Sequence, residues 1–313
     1  MDAETAGQRL DNFLLGALKG VPRSHVYRLI RSGQVRVNSG RVNPKYRLVE
    51  GDVVRVPPVA AKPVTPPVAA PDALAWLADR VLYEDSRILV IDKPAGLAVH
   101  GGSSVSLGCI EALRLLRPEA KDLELAHRLD RGTSGVLLLA KRRSALRVLH
   151  QLLREGGVDK RYLTLVKGRW PEATLEVDAP LVTRRVSGEA RVKVDPSGKP
   201  AQSTFRVLEH YGKTASLLEV AIATGRTHQI RVHANHVGHP VAGDDRYGDD
   251  DFNAYLKTFG LQRMFLHAHS LEFDWPETGE TFSVSAPLPT DLRDVLTALE
   301  VRKSAPGGRG RAP

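Results

Sequence analysis

The chain has 313 residues, 42% of them hydrophobic, which allows one substantial core plus a small accessory domain and excludes a disordered polymer. No apolar run approaches the roughly 18 residues of a bilayer span, and the start lacks the basic-then-apolar order of a secretion signal, so a cytoplasmic protein is expected. The net charge of +9 sits at the ends: residues 1–57 hold ten Lys/Arg against five Asp/Glu, residues 302–313 hold four against none, and the body is neutral. Basic ends around a balanced body suit a chain that grips a polyanion while its body does chemistry, although a well-solvated surface reads the same way.

In chain order, Leu10, Phe13, Leu14, Ala17 and Leu18 recur at helical spacing and predict an amphipathic helix ending near Gly20 and Pro22. Ser24 can cap a second helix through Arg31, with Val26, Leu29 and Ile30 inward and Gly33 as its stop. Arg23, Arg28 and Arg31 then fall near its outer surface. Residues 34–38 and 53–56 read as short strands beside turns at Ser39-Gly40 and Gly51-Asp52, with Arg36 on the open face. Residues 57–71 carry six prolines and almost no charge, which predicts an extended, semi-rigid spacer. The expected organisation is a binding domain over 1–57, a linker over 58–72, a larger domain over 73–301 and a disordered basic tail over 302–313.

Beyond the spacer, branched and aromatic residues predict strands at 88–91, 136–140, 162–166, 203–207, 216–221 and 282–285. Apolar spacing predicts helices at 106–116 and 144–153, giving an α+β domain around a large, mainly antiparallel mixed sheet. No G-x-G-x-x-G or Walker sequence is present, so no nucleotide cofactor is expected. The single cysteine, Cys109, permits neither an internal disulfide nor a cysteine metal cage and reads as a small buried side chain.

Two segments carry chemistry. In residues 127–135 (HRLDRGTSG), Asp130 stands between Arg128 and Arg131 on a turn that feeds an apolar strand. A carboxylate among cations at the mouth of a sheet is held charged and stationary, fit to act as nucleophile or base. A structural ion-pair network reads equally well from these residues alone. The second segment, 225–233 (GRTHQIRVH), is followed by Gly238-His239-Pro240 and by Asp244-Asp245-Arg246-Tyr247-Gly248. Its two arginines, glutamine and histidines suit polar recognition of a charged substrate. His228, His233, His236 and His239 raise the question of zinc, but their spacing matches no usual ligand set. No metal is expected, and hydrogen bonds to backbone or phosphate fit these histidines better.

Taken together and in order, residues 93–100 (KPAGLAVH), 127–135, 160–162 (KRY), 225–233 and 266–268 (LHA) resemble the RluA family of pseudouridine synthases. The resemblance runs from about residue 7 to 299, and is strongest to a branch that modifies several uridines of bacterial 23S ribosomal RNA. It implies the pseudouridine synthase fold, no cofactor, and 23S rRNA or a large-subunit assembly intermediate as partner; a monomer is expected. Asp130 matches the essential aspartate, which attacks the anomeric carbon or removes a sugar proton. Arg226 matches the arginine that pairs with it, Tyr162 the tyrosine against the target base, Leu266 an apolar pocket residue, and Arg128 a residue filling the gap left by the extruded uridine. The first domain resembles the RNA-binding module of ribosomal protein S-four, which implies phosphate contact for Arg23, Arg28, Arg31 and Arg36. Gly132 departs from the family, where Asp or Glu is frequent, and predicts altered local flexibility with activity kept. The competing readings are a non-catalytic RNA-binding protein and a metal-dependent nuclease using Asp244, Asp245 and the histidines.

Overall fold

In a computed structural model the chain folds as two units, Met1–Ala70 and Pro71–Pro313. The structure describes residues 1, 5–18, 20–59, 74–101, 107–120, 122–186 and 189–304; the proline-rich spacer over 60–71 and the tail beyond 304 lie outside them.

In the first unit, helices α1 (Leu10–Ala17) and α2 (Arg23–Arg31) turn Leu10, Leu14, Val26, Leu29 and Ile30 onto a core shared with Val35, Val37 and Leu48. Strands β1 (Arg36–Val37) and β2 (Val54–Arg55) pair antiparallel. Asn38 and Ser39 follow β1 with φ of 48° and 67°, a left-handed turn that Asn tolerates better than most residues. Ser24 is not the cap of α2. Pro22, at φ −55°, leads straight into a helix that begins at Arg23 with no side-chain cap. Proline's fixed φ presets that entry, so the serine lies within the first turn. Arg23, Arg28 and Arg31 are exposed as expected, whereas Arg36 is half-buried and turned to the carbonyls of Gly33 and Ser39, each at 3.3 Å.

The second unit is organised by ten strands: β3 (Val81–Glu84), β4 (Ile88–Lys93), β5 (Glu124–Leu125), β6 (Ser134–Ala140), β7 (Asp159–Lys167), β8 (Thr174–Asp178), and further along β11 (Gln202–Tyr211), β12 (Ala215–Ile222), β13 (Leu266–Asp274) and β14 (Thr281–Ser285). Their order is β3-β4-β6-β13-β7-β12-β11-β8, with β14 also on β13 and β5 on β6. Every pairing is antiparallel except β6 with β13. A separate hairpin, β9 (Leu181–Val186) with β10 (Glu189–Val194), stands beside the sheet. The unbroken apolar run of β6 is buried at every position, as a strand covered on both faces requires.

Helix α3 (Cys109–Leu116) starts on the buried Cys109. Helix α4 (Arg143–Glu155) packs Ala145 and Leu149 onto Val136, Leu138 and Phe273. Three helices escape the sequence patterns: α5 (Gln229–His236), α6 (Asp250–Lys257) and α7 (Thr290–Ser304). The last two bring Phe252, Leu256, Leu292, Val295 and Leu299 onto Leu165 and Phe265. Because α7 runs to Ser304, Arg302 belongs to a helix rather than to a tail. Its guanidinium lies 5.3 Å from the Tyr255 ring centre and 5.5 Å from that of Phe259, contacts that hold a cation to a folded surface. Among the described residues, no helix is long and apolar enough to cross a membrane.

Among the described residues one pairing is parallel, and it lies beside the turn that carries Asp130. It is limited to Ser134 beside His267 and Gly135 beside Ala268, which sets the starts of β6 and β13 side by side. Gly135 has φ +108°, and a Cβ there would lie 2.1 Å from the Ala268 carbonyl oxygen. Gly135→Ala is therefore expected to destabilise the protein by on the order of 3 kcal/mol, measured as a lowered urea midpoint, through left-handed strain plus a forced separation of the strands.

Candidate active site

Residues 127–133 form the turn entering β6, and backbone contacts hold it. Lys93, fully buried at the end of β4, donates its Nζ to the carbonyls of Pro94 at 2.8 Å, Leu97 at 2.9 Å and Arg131 at 3.4 Å. Burial pulls this ammonium down to about 8, with the charge of Asp130 opposing. Gly96 N donates to Arg131 O, and Arg131 Nε donates back to Gly96 O, both at 2.8 Å. Thr133 N closes the turn on Asp130 O at 3.1 Å. The KPAG and HRLD motifs, far apart in sequence, are thus one doubly stitched loop pair. A Cβ on Gly132 would meet only Met264 Cε, at 3.4 Å, so the residue type found there imposes no special backbone geometry.

Two neutral histidines brace this end of the sheet. His127 Nε2 accepts from Leu138 N at 3.0 Å, and His267 spans Ser134 Oγ at 3.0 Å and Ala286 O at 3.2 Å. A carbonyl only accepts, so His267 carries its proton on Nε2 and takes the Ser134 hydroxyl proton on Nδ1. Burial pushes both imidazoles down to about 4. An unfolded chain takes up these protons near pH 6.5 and the native state does not, so the unfolded state binds more protons between pH 6.5 and 4. Stability is expected to fall across that window by about 3 kcal/mol per histidine at the limit, read as urea midpoints at pH 7 and pH 4.5.

Asp130 lies at the centre of a pocket lined by Arg128, Thr133, Tyr162, Ile222, Arg226, His228, Arg231 and Leu266. Its Oδ2 is 3.4 Å from Arg231 Nη1 and 3.8 Å from His228 Nε2. The arginine that meets Asp130 is thus Arg231 and not Arg226, which corrects the expectation from sequence. The two positions differ because α5 begins between them. Arg226 lies in the exposed turn before the helix and donates its Nε to Pro200 O at 3.0 Å. Arg231, 7% exposed, is inside the first turn of α5, and His228 at φ 55° turns the chain into it. Arg226 still borders the pocket.

Arg231 is itself gripped from behind. Its Nε donates to Asp244 Oδ2 at 2.6 Å and its Nη2 to Asp244 Oδ1 at 2.7 Å, a fork that fixes the plane of the guanidinium. Burial pulls the guanidinium down, but hydrogen bonding and charge from Asp244, joined by Asp130, more than offset it and hold it above its ordinary value. Burial likewise raises the Asp244 carboxyl, and Arg231 with the amides of Tyr247 and Arg246 brings it below the usual range. Tyr247 completes the support. Its ring lies 5.1 Å from the Arg231 guanidinium, and its hydroxyl accepts from Val192 N at 3.0 Å and meets His228 Nδ1 at 2.8 Å. A Tyr247 hydroxyl that accepts from the Val192 amide can give its own proton to Nδ1, the tautomer in which His228 carries its hydrogen on Nε2, 3.8 Å from Asp130. Burial lowers the pKa of His228, with Arg231 and Arg246 pushing the same way against Asp130 and Asp244.

Tyr162 and Leu266 come from adjacent strands. On β7, Tyr162 sits opposite Ala268 and Thr164 opposite Leu266, so the two lining residues are diagonal neighbours. Tyr162 is 8% exposed, and burial followed by the charge of Asp130 raises its hydroxyl well above the ordinary range, keeping it a neutral phenol. Arg128 is exposed at the rim. Two further histidines of this segment serve the fold: His233 bonds Ser203 Oγ at 3.0 Å and Ala179 O at 2.9 Å, and His239 bonds Lys167 O at 2.7 Å, while His236 is exposed. Among the described residues, no cluster of His, Cys, Asp or Glu is placed to hold a metal ion. Asp244, a ligand in the nuclease reading, is instead committed to Arg231.

Asp130, Arg231, Tyr162 and Leu266 therefore line one pocket, with the carboxylate and the guanidinium 3.4 Å apart. Residues 87–236 match the family model of RNA pseudouridylate synthase, and residues 8–54 match that of the S4 domain. The chain belongs to the RluA family of pseudouridine synthases, which are isomerases. It is 54% identical over 308 residues to ribosomal large subunit pseudouridine synthase C of Yersinia pestis, covering 97% of this chain and 95% of that one. It is 52% identical over 302 residues to the protein of that name from Escherichia coli (strain K12), covering 95% and 94%. Among solved structures, human RNA pseudouridylate synthase domain containing 4 superposes with a TM-score of 0.61 at 26% identity, over 74% of this chain and 96% of that one.

Proposed function

We propose that this protein converts specific uridines of large-subunit ribosomal RNA to pseudouridine, with Asp130 as the catalytic carboxylate. The observation that carries the reading is the Asp130–Arg231 pair at 3.4 Å beneath Tyr162 and Leu266, on a chain about half identical to synthases named for the large ribosomal subunit.

In this reaction the N1–C1′ bond of uridine breaks, the base turns, a C5–C1′ bond forms, the C5 hydrogen leaves as a proton and N1 gains one. Oxidation state is unchanged and no second substrate is consumed, so side chains alone suffice and no cofactor is invoked. The target base must leave its stack, which costs a few kcal/mol. Stacking on Tyr162 offsets about 1 to 3 kcal/mol of this, and Leu266 supplies the apolar floor. Arg128 occupies the rim, where it can fill the space the base vacates. Asp130 acts on the ribose; Arg231 fixes its position and charge, and Arg226 contacts the RNA rather than the carboxylate.

The first unit holds the RNA through Arg23, Arg28 and Arg31 on the outer face of α2, with Arg36 in a lesser part. The partner is 23S rRNA or a large-subunit assembly intermediate, met in the cytoplasm by a monomer. Because C5 loses its hydrogen, large-subunit rRNA transcribed with 5-tritiated uridine should release tritium to water when incubated with the protein, a small fixed number of atoms per molecule. No release above background, with RNA binding intact, would sink the reading.

A further inference from the structure

A second cavity opens beside the first and shares Arg128, Tyr162, Ile222, Gly225 and Arg226 with it. It has a volume of about 340 Å³, against about 80 Å³ for the pocket over Asp130. Arg128, Arg154, Lys160 and Arg226 line it, and no Asp or Glu does. The remaining titratable lining residues add no charge: His127 is neutral and committed to the Leu138 amide, and Tyr162 is a phenol.

Lys160 is the unusual member. It is 7% exposed, yet among the described residues its ammonium has neither a hydrogen-bond nor an ion-pair partner. Burial lowers its pKa, opposed only by the charge of the adjacent Asp159, whose carboxylate is engaged by Arg161 at 2.8 Å. The stem of Lys160 is buried, but its Nζ is not sealed from solvent, so the ammonium faces the cavity, where an anion can reach it. Arg128, Arg154 and Arg226 also have no carboxylate within ion-pairing distance among the described residues. Four cations with no internal anion surround a space large enough for a sugar-phosphate unit.

Its position ties it to the reaction. Lys160 and Tyr162 are two residues apart on β7 and so share one face of the strand, roughly 7 Å apart, about one step along a nucleic-acid backbone. We propose that this cavity binds the backbone phosphate next to the target uridine, with Lys160 as its buried ligand and Arg154, Arg128 and Arg226 closing around it. The inference rests on the reading of the protein as an RNA uridine isomerase. The site holds the flanking chain while the base stands against Tyr162 and Asp130.

The test uses the full chain, Lys160→Met and Arg154→Gln, with a synthetic hairpin of large-subunit rRNA bearing single uncharged methylphosphonates, in turn, at each linkage around its uridine. Lys160→Met should leave the melting temperature near that of the parent, because methionine keeps the buried stem and only the cavity-facing ammonium is lost, while weakening binding roughly 10- to 100-fold. Each variant should reduce the slope of log K against log salt by about 0.7 to 0.9. One methylphosphonate next to the uridine should weaken the parent by a similar factor and leave Lys160→Met unchanged. Arg154, exposed on α4, guards against a folding artefact. If Lys160→Met binds like the parent, or is equally sensitive to every methylphosphonate, the phosphate site is wrong. Tritium release by the parent is scored separately: its loss with the Lys160 coupling intact refutes the isomerase and leaves the phosphate site standing.

Discussion

Asp130→Asn is expected to lower pseudouridine formation by at least about 10³-fold while leaving folding and RNA affinity near those of the parent. Asparagine has the shape of the aspartate and still presents an oxygen to Arg231 Nη1, now 3.4 Å from the carboxylate. What it lacks is the negative charge, and with it the capacity to attack C1′ or to accept a proton. Asp130 is not part of the core: its side chain is 21% exposed, and Arg231 keeps its Asp244 partner in its absence. Thermal melting and filter binding on the same preparation separate loss of chemistry from loss of fold. A variant retaining a tenth of the parent rate would show that the carboxylate is not the reacting group.

The second large effect distinguishes the two arginines of the GRTHQIR segment. Arg231→Met removes the partner of Asp244, whose side chain has no exposure, and leaves a buried carboxylate unpaired. The expected loss is about 3 to 5 kcal/mol of stability, together with loss of activity as Asp130 is freed. The double variant Arg231→Met with Asp244→Asn should regain part of the stability but not the activity, because the unpaired charge is gone while the amide oxygen still accepts from the Arg246 and Tyr247 backbone. Arg226→Met, in an exposed turn bonded to the Pro200 carbonyl, should stay within about 0.5 kcal/mol of the parent and act through RNA affinity. Equal melting temperatures for Arg226→Met and Arg231→Met would contradict the assignment.

These two arginines also mark how far sequence reasoning reaches. Strand runs such as residues 136–140 were legible because a strand buried on both faces needs apolar residues at every position. Asp130, Tyr162 and Leu266 were legible only through the ordered motifs, since each alone is also a plausible core or ion-pair residue. Helix α5 was not legible: it opens on His228 in a left-handed conformation without a side-chain cap, and it buries Gln229, Arg231 and His233, polar residues that mask the apolar period. The resemblance implied Arg226 as the partner of Asp130, whereas the contact is made by Arg231 within α5. Two arginines five apart could not be told apart until the start of the helix divided them. A usable signal was the alternation of Ile230 and Val232 around Arg231, which places a cation within a buried element, where it demands a carboxylate such as Asp244. Lys93, Tyr247 and Lys160 act through contacts with distant backbone or with a cavity, and local spacing carries no trace of those.

The role of Asp130 can be read from a nucleotide-resolution map of pseudouridine in ribosomal RNA from cells lacking this protein, resupplied with the parent chain or with Asp130→Asn. A small set of large-subunit sites should be uridine in the deletion, pseudouridine with the parent and uridine with the variant, while all other sites are unchanged. An identical map in all three strains, or restoration by Asp130→Asn, would contradict it.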